Sequence, residues 1–176
     1  KVKESNFRCF RYGVQVNSLG LTEQQPENNV YRILIEMLSV VLSKRTRARA
    51  IQLPAWNEAL GLPRPWDQQW SLRLQQIMAL ETDILEYEDV FQGSEVIKEK
   101  VDSLRKQASE EIKNIMRMGG IVSAVETGYL KQKLVESSSR RLANIKSGKQ
   151  KIVGVNCFTE TFSSPLLEKK QKIYKS

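Results

Sequence analysis

The sequence predicts an α/β chain that is rich in helix: two strands joined through a helix, followed by a mostly helical half. Three observations predict it. Phe7 to Val16 (FRCFRYGVQV) is dense in β-forming residues. Val30, Ile33, Leu34, Met37, Leu38 and Val41 then recur at three- and four-residue spacing, the mark of a helix with one buried face. Ala50 to Leu53 is a second short β run, stopped by Pro54. A strand, a helix and a strand in this order form a βαβ unit, whose strands normally lie parallel.

The elements follow in order. Asn17 to Gly20 has loop chemistry, and Pro26 fits the first turn of the first helix. Arg32 and Glu36 fall off its apolar stripe. Ser43 to Arg49 is a polar, basic connection, and Pro54 to Pro65 a loop with room for one helical turn. A long helix is expected from Asp67 to Thr82, with Trp70, Leu74, Ile77 and Met78 facing inward. Asp83 to Gly93 is acidic and irregular. Ser94 caps a further helix whose stripe is Ile97, Val101, Leu104, Ala108, Ile112 and Ile115, ended by Gly119-Gly120. Ile121 to Glu126 reads as a short helix broken by Gly128, and Tyr129 to Ile145 as another, ended near Gly148. Lys151 to Asn156 reads as a last short strand, and the tail from Thr161, with its basic run Lys169 to Lys175, as a linker.

A complete (β/α)8 barrel takes about 250 residues. A chain of 176 with two good strands fits the last one or two β/α units of such a barrel with helices packed outside it. Its first strand would then present an open edge for partners to cover.

Composition narrows the chemistry. With 40% hydrophobic and 27% charged residues the chain is of soluble globular type. It has no apolar run of the roughly 18 residues that span a bilayer. Lys1 to Asn6 lacks the apolar centre of a secretory signal and reads as the middle of a longer protein. Cys9 and Cys157 are far apart in apolar surroundings, so buried, inert thiols in a reducing, cytoplasmic setting are expected. Histidine is absent, which excludes Ser-His and Cys-His nucleophiles and histidine metal sites, and no metal site is expected. The net charge of +8 suits an anionic partner such as nucleic acid, an acidic membrane or a phosphate-bearing cofactor like coenzyme A, or else a solvated basic surface.

Several clusters have both a plain and a functional reading. Arg11, Gln15, Asn17 and Glu23-Gln24-Gln25 gather around a strand end, where turn-forming residues are common but ligands are also bound. Arg45, Arg47 and Arg49 alternate, so in extended chain they would share one face and hold phosphate; a solvated loop is the alternative. RNA binding by this cluster lacks an aromatic platform. Trp56, Trp66 and Trp70 are either core or a wall beside a flat cofactor. Glu58 alone is an ordinary carboxylate, and Glu81, Asp83, Glu86, Glu88 and Asp89 read as a solvated acidic face.

Longer strings carry more. FRYGVQVNSLGLTEQQPENNVYRI, ARAIQLPAWNEALGLPRPWDQQWSLRLQQ and the pair MGGIVSAVETGYLKQ and GVNCFTE resemble the adenosylcobalamin-dependent acyl-CoA mutases, the ethylmalonyl-CoA branch most closely. The likeness runs from about Phe7 to Thr159. It implies a partial (β/α)8 barrel over 1–160 and a linker over 161–176 toward a separate cobalamin-binding domain. The substrate would be an acyl-CoA threaded through the barrel, and the reaction a radical rearrangement in which the thioester group moves to the neighbouring carbon. For ethylmalonyl-CoA the product is methylsuccinyl-CoA; a methylmalonyl-CoA enzyme, a non-catalytic remnant or assembly module and, last, a basic nucleic-acid-associated protein using Arg45 to Arg49 and the lysine tail are the alternatives. The partners implied are the rest of the barrel, the cobalamin domain and a second chain in a homo- or heterodimer. The isolated chain would be incomplete and inactive.

Residue by residue, the resemblance implies that Arg11 contacts the CoA phosphates and that Gln15 is catalytic, close to substrate and cofactor. Glu58 would hold the adenosyl ribose. Methylmalonyl-CoA mutases have histidine where this chain has Gly13, and Leu-His-Thr-Asn where it has Ile51-Gln52-Leu53-Pro54. Gly13 and Gln52 are therefore expected to line the substrate, with Gly13 leaving room for a bulkier acyl group, and Arg49 to add a phosphate contact. The asparagine that shares the ribose is replaced by Pro54, and Asn57 is the candidate to compensate.

Overall fold

A computed structural model describes residues 10–160 together with 162, 164 and 166. The chain forms two compact units, Lys1–Phe91 with Glu160–Ser176, and Gln92–Thr159.

In the first unit, β1 (Val14–Gln15) pairs in parallel with β2 (Ile51–Gln52), with Val14 opposite Ile51 and Gln15 opposite Gln52. Flanking bonds lengthen the pairing: Arg49 N donates to Tyr12 O (2.9 Å), Val14 N to Ala50 O (2.9 Å) and Val16 N to Gln52 O (3.0 Å). The regular strands are shorter than the β-rich runs predicted, and the part of the first run from Phe7 to Cys9 lies outside the described residues. A ladder of two strands has no third strand to extend it among the described residues.

The helix α1 (Asn28–Leu42) crosses between the strands, as its stripe predicted. Ile33 and Met37 are fully buried against Val16, Leu53 and Met78, with Leu34, Leu38, Val41, Ile51, Leu74 and Ile84 around them. Each such fully buried apolar side chain stabilises by about 1.5–3 kcal/mol. α2 (Pro65–Leu80) opens with Pro65 at its first position, where the missing N–H costs nothing, and Asp67 caps the Arg64 N–H.

Half of the predicted inner face of α2, Leu74 and Met78, packs on the core. Asp67, Ser71, Leu74 and Met78 face inward, while Ile77 is 46% and Trp70 38% exposed. The spacing is helical, but two of the four inward residues are polar, so a search for apolar positions passes them over. The three arginines also depart from expectation. Lys44–Thr46 forms a 3₁₀ turn and Arg47 takes a left-handed conformation (φ 57°), so Arg45, Arg47 and Arg49 do not alternate along extended chain. Glu81, Asp83, Glu86 and Glu88 are exposed as expected, while Asp89 is half-buried and accepts from Arg45 N (2.8 Å), and Lys44 donates to the carbonyl of Leu85 (2.6 Å).

The second unit holds α3 (Glu95–Arg117), α4 (Ile121–Glu126) and α5 (Tyr129–Lys146). Ser94 caps α3 by accepting from Ile97 N, and Gly119 and Gly120, at φ 97° and 94°, turn the chain after it. Tyr129 donates to Glu111 (2.8 Å), joining α5 to α3. The predicted stripe of α3 exists, but Val101, Leu104 and Ile112 are exposed. Lys151 to Asn156 is a tight turn, not a strand: Val153 and Cys157 bridge across it. Its side chain Asn156 accepts from Ile152 N and donates to the carbonyls of Ile145 and Gln150, which satisfies groups a strand would have paired. Cys157 is a free, half-buried thiol, and Cys9 lies outside the described residues. The tail from Thr161 also falls outside them, apart from Phe162, Ser164 and Leu166. Among the described residues no helix is long and apolar enough to cross a membrane.

Candidate functional site at the strand ends

Alternation along the two strands sorts the site from the core. Val16 and Leu53 point into the core, so Gln15 and Gln52 point to the opposite, exposed face. Because they are register partners, their side chains stand next to each other there. One step back, Gly13 adjoins Ala50: a Cβ at Gly13 would lie 3.5 Å from the Ala50 Cβ and 3.4 Å from its carbonyl oxygen. Arg11 and Arg49 are exposed at the opposite, N-terminal ends of the strands, where Arg49 N bonds to Tyr12 O. From Arg11 to Gln15 extended chain covers about 13 Å.

After β2 the chain runs through five consecutive buried residues, Leu53 to Asn57. A buried loop must have its polar groups satisfied, and residues from both helices do this. Ser71 Oγ donates to Pro54 O (2.6 Å). Asn29, fully buried on α1, donates to Trp56 O (2.9 Å) and to Thr22 O (2.9 Å), and accepts from Thr22 N (3.0 Å). Asn29 thus ties the loop after β1 to the loop after β2, and Arg32 supports it by donating to its Oδ1 (2.7 Å). Trp56 packs between Trp66 and Trp70, at 6.4 and 6.0 Å between ring centres. Arg64 lies over the Trp66 ring at 4.3 Å.

Asp67 is fully buried in the same corner. It accepts from Arg64 Nε (3.0 Å), Arg64 Nη2 (3.2 Å) and Arg64 N (2.9 Å). Burial alone would raise its pKa, but the hydrogen bonds and charge of Arg64, with the nearby Asn57 side chain, outweigh it and hold the carboxyl below its ordinary value. Immediately after Asn57, Glu58 emerges exposed at the head of a 3₁₀ turn, Glu58–Leu60. Two buried polar atoms here have no hydrogen-bond partner among the described residues, Asn57 Oδ1 and Trp56 Nε1.

The structure therefore pairs Gln15 with Gln52, sets Gly13 beside Ala50, and presents Glu58 on a loop held from below. Asn57 is turned inward and buried. Sequence reasoning missed Asn29, Asp67 and Ser71. Their signal was their register: Asn29 stands four residues before Ile33, and Asp67 and Ser71 stand at core spacing with Leu74 and Met78. Among the described residues no group of three histidine, cysteine or acidic side chains could hold a metal ion.

A parallel strand pair backed by helices, with polar groups gathered beyond the carboxyl ends of the strands, is the arrangement by which α/β barrels and open α/β sheets bind their ligands. The model of the methylmalonyl-CoA mutase family matches residues 1–175, and the chain belongs to that family. It is 64% identical over 165 residues to an ethylmalonyl-CoA mutase of Methylorubrum extorquens, covering 94% of this chain and 24% of that protein. It is 62% identical over 165 residues to an ethylmalonyl-CoA mutase of Cereibacter sphaeroides, covering 94% of this chain and 25% of the relative. The methylmalonyl-CoA mutase of Escherichia coli is 36% identical over 148 residues, 84% of this chain and 20% of that protein. The chain thus spans about a quarter of the length of these relatives. Its helix-rich structure with a small parallel sheet is compatible with part of a mutase barrel.

Proposed function

We propose that this chain is the back of the catalytic barrel of an adenosylcobalamin-dependent acyl-CoA mutase that converts ethylmalonyl-CoA to methylsuccinyl-CoA. The observation that carries the reading is the exposed row of Gln15 and Gln52 with the unfilled position Gly13 behind it. Gly13 and Gln52 stand where the methylmalonyl enzymes have histidine. The similarity is also much greater to the two ethylmalonyl relatives than to the methylmalonyl one, 64% and 62% against 36%.

In this reading Arg11 and Arg49 meet the CoA phosphates at one end of the strands. Gln15 and Gln52 orient the acyl thioester at the other end, with two amides that both donate and accept. An extended acyl-CoA lying along the strands reaches both. The residues present also fit the adenosyl ribose. A vicinal diol offers two hydroxyl donors, and the Glu58 carboxylate and the orphaned Asn57 Oδ1 are adjacent acceptors. Of these Glu58 is exposed and Asn57 covered, so Glu58 is the direct holder. When bound, the cofactor supplies the radical chemistry of the rearrangement; the chain orients the reacting groups and excludes water. The remaining barrel, a cobalamin-binding domain, a dimeric assembly and a cytoplasmic setting belong to the same proposal.

The test is turnover of ethylmalonyl-CoA and methylmalonyl-CoA with adenosylcobalamin, by this chain alone and by this chain completed with the rest of the barrel and the cobalamin domain. Turnover by the completed protein only, with ethylmalonyl-CoA preferred, is expected. A preference for methylmalonyl-CoA overturns the substrate assignment, and no turnover of either overturns the function.

A further inference from the structure

We infer that Asn29 is a positioning residue for Glu58, acting through the carbonyl of Trp56. The inference rests on the proposal that Glu58 holds the adenosyl ribose. Asn29 is the second residue of α1, where an asparagine ordinarily serves its own helix end. This one is fully buried and reaches away from the helix. Its Oδ1 accepts from Thr22 N (3.0 Å) and Arg32 Nη1 (2.7 Å), and its Nδ2 donates to Thr22 O (2.9 Å) and Trp56 O (2.9 Å). A side-chain amide has two acceptor and two donor positions, and all four are filled. The amide can therefore lie only one way round, and it spans from the loop after β1 to the loop after β2.

The loop that carries Glu58 is held carbonyl by carbonyl. Pro54 O accepts from Ser71 (2.6 Å), Ala55 O from Glu58 N (3.1 Å), Trp56 O from Asn29 and Asn57 O from Leu60 N (2.9 Å). The bonds to Ala55 and Asn57 are internal to the turn and fix its shape. Those to Pro54 and Trp56 tie it to the helices, and the Asn29 bond is the nearer of the two to Glu58. It fixes the plane of the peptide between Trp56 and Asn57, and with it the direction in which the chain enters Glu58. Gln15 and Gln52 need no such support, because the bonds from Val14 N to Ala50 O and from Val16 N to Gln52 O already hold their strands together. An exposed carboxylate on a loop that must meet a diol does need it, because a ligand contact is only as well placed as the residues behind it.

The experiment uses the completed protein and measures binding, so it does not depend on turnover. Affinities are measured for adenosylcobalamin, for hydroxocobalamin, which lacks the adenosyl group, and for the acyl-CoA. Asn29→Asp keeps the size of the side chain and its acceptors toward Thr22 N and Arg32, but loses both N–H donors, so an oxygen faces the Trp56 carbonyl. It is expected to weaken adenosylcobalamin about tenfold, in the range typical of residues behind a ligand contact, and to leave the other two unchanged. Combined with Glu58→Gln it is expected to give no further loss, because a residue that acts only through Glu58 then has nothing left to position. An equal loss for both cobalamins, a fall in melting temperature with no selective loss, or a loss that adds in full to that of Glu58→Gln overturns the inference. If Asn29→Asp does not fold, the same readings from Asn29→Ser decide it, since a short hydroxyl cannot span both loops. Glu58→Gln alone separates the two levels: no selective effect at Glu58 itself overturns the ribose reading, whereas an effect at Glu58 with none at Asn29 overturns only the positioning role.

Discussion

Ser71 on α2 donates its hydroxyl to the carbonyl oxygen of Pro54 at 2.6 Å, across 17 residues of sequence, and both groups are buried. Ser71→Ala removes the donor and leaves that carbonyl unsatisfied. The expected cost is about 1–3 kcal/mol. In urea denaturation the midpoint should fall with the slope unchanged, because the surface exposed on unfolding is the same.

Asp67 gives a pH signature whose sign follows from its lowered pKa. A carboxyl held below its unfolded value contributes stability that is fully present above the ordinary carboxylate range, about pH 4, and is lost as pH falls through the folded value. Asp67→Asn should therefore destabilise the protein most near neutral pH, with the difference from the parent shrinking in acid. Melting temperatures recorded from pH 7 downward test this, and a difference that grew in acid would contradict it.

How much of this could be read from residue order depended on which force placed each element. The buried face of α1 follows apolar period and was legible from Ile33 and Met37 alone, whereas the same period on α3 marks a stripe that is exposed at Val101 and Leu104. Family strings singled out Gln15, Gln52 and Glu58 as candidates. The clamp on the Glu58 loop was not legible. It is made by Asn29, Asp67 and Ser71, polar residues in core register, whose partners are groups 3 to 27 residues away. Lys151 to Asn156 failed for a different reason: its β-like pattern is overridden by Asn156, which supplies three local bonds within one turn.

Gly13 should respond to substitution with opposite signs in stability and activity. Its backbone is not in the left-handed region, and a Cβ there would make only ordinary contacts with Ala50. Gly13→Ala should therefore stabilise by about 0.5–1 kcal/mol through lost backbone freedom in the unfolded chain. In the completed protein it should lower kcat/KM for ethylmalonyl-CoA more than for methylmalonyl-CoA, by roughly 10-fold for one carbon in a filled space. Equal effects on the two substrates would remove Gly13 from the specificity determinants.

Arg11→Ala and Arg49→Ala should raise KM for acyl-CoA with kcat nearly unchanged, as expected for contacts made equally before and during reaction. The loss should shrink at high salt, where the parent enzyme's own phosphate contacts are screened. A fall in kcat alone would place these arginines elsewhere in the cycle.

The apolar stripe on α3 leaves Val101 and Leu104 more than half exposed in the chain as it stands. Surface of this kind drives association, so the 176-residue chain should associate with rising concentration in sedimentation. Leu104→Glu should shift it toward monomer without changing its helix content, since the position is in the middle of a 23-residue helix and glutamate is a good helix former.

The three tryptophans of the chain all belong to the corner that presents Glu58. Tryptophan emission therefore originates in one place. Rings 6.0 and 6.4 Å apart exchange excitation readily, and Trp56 is the shielded member of the three. The loop carries an optical reporter of its own packing, and an occupant that settles on Glu58 can be followed by light without a label being attached.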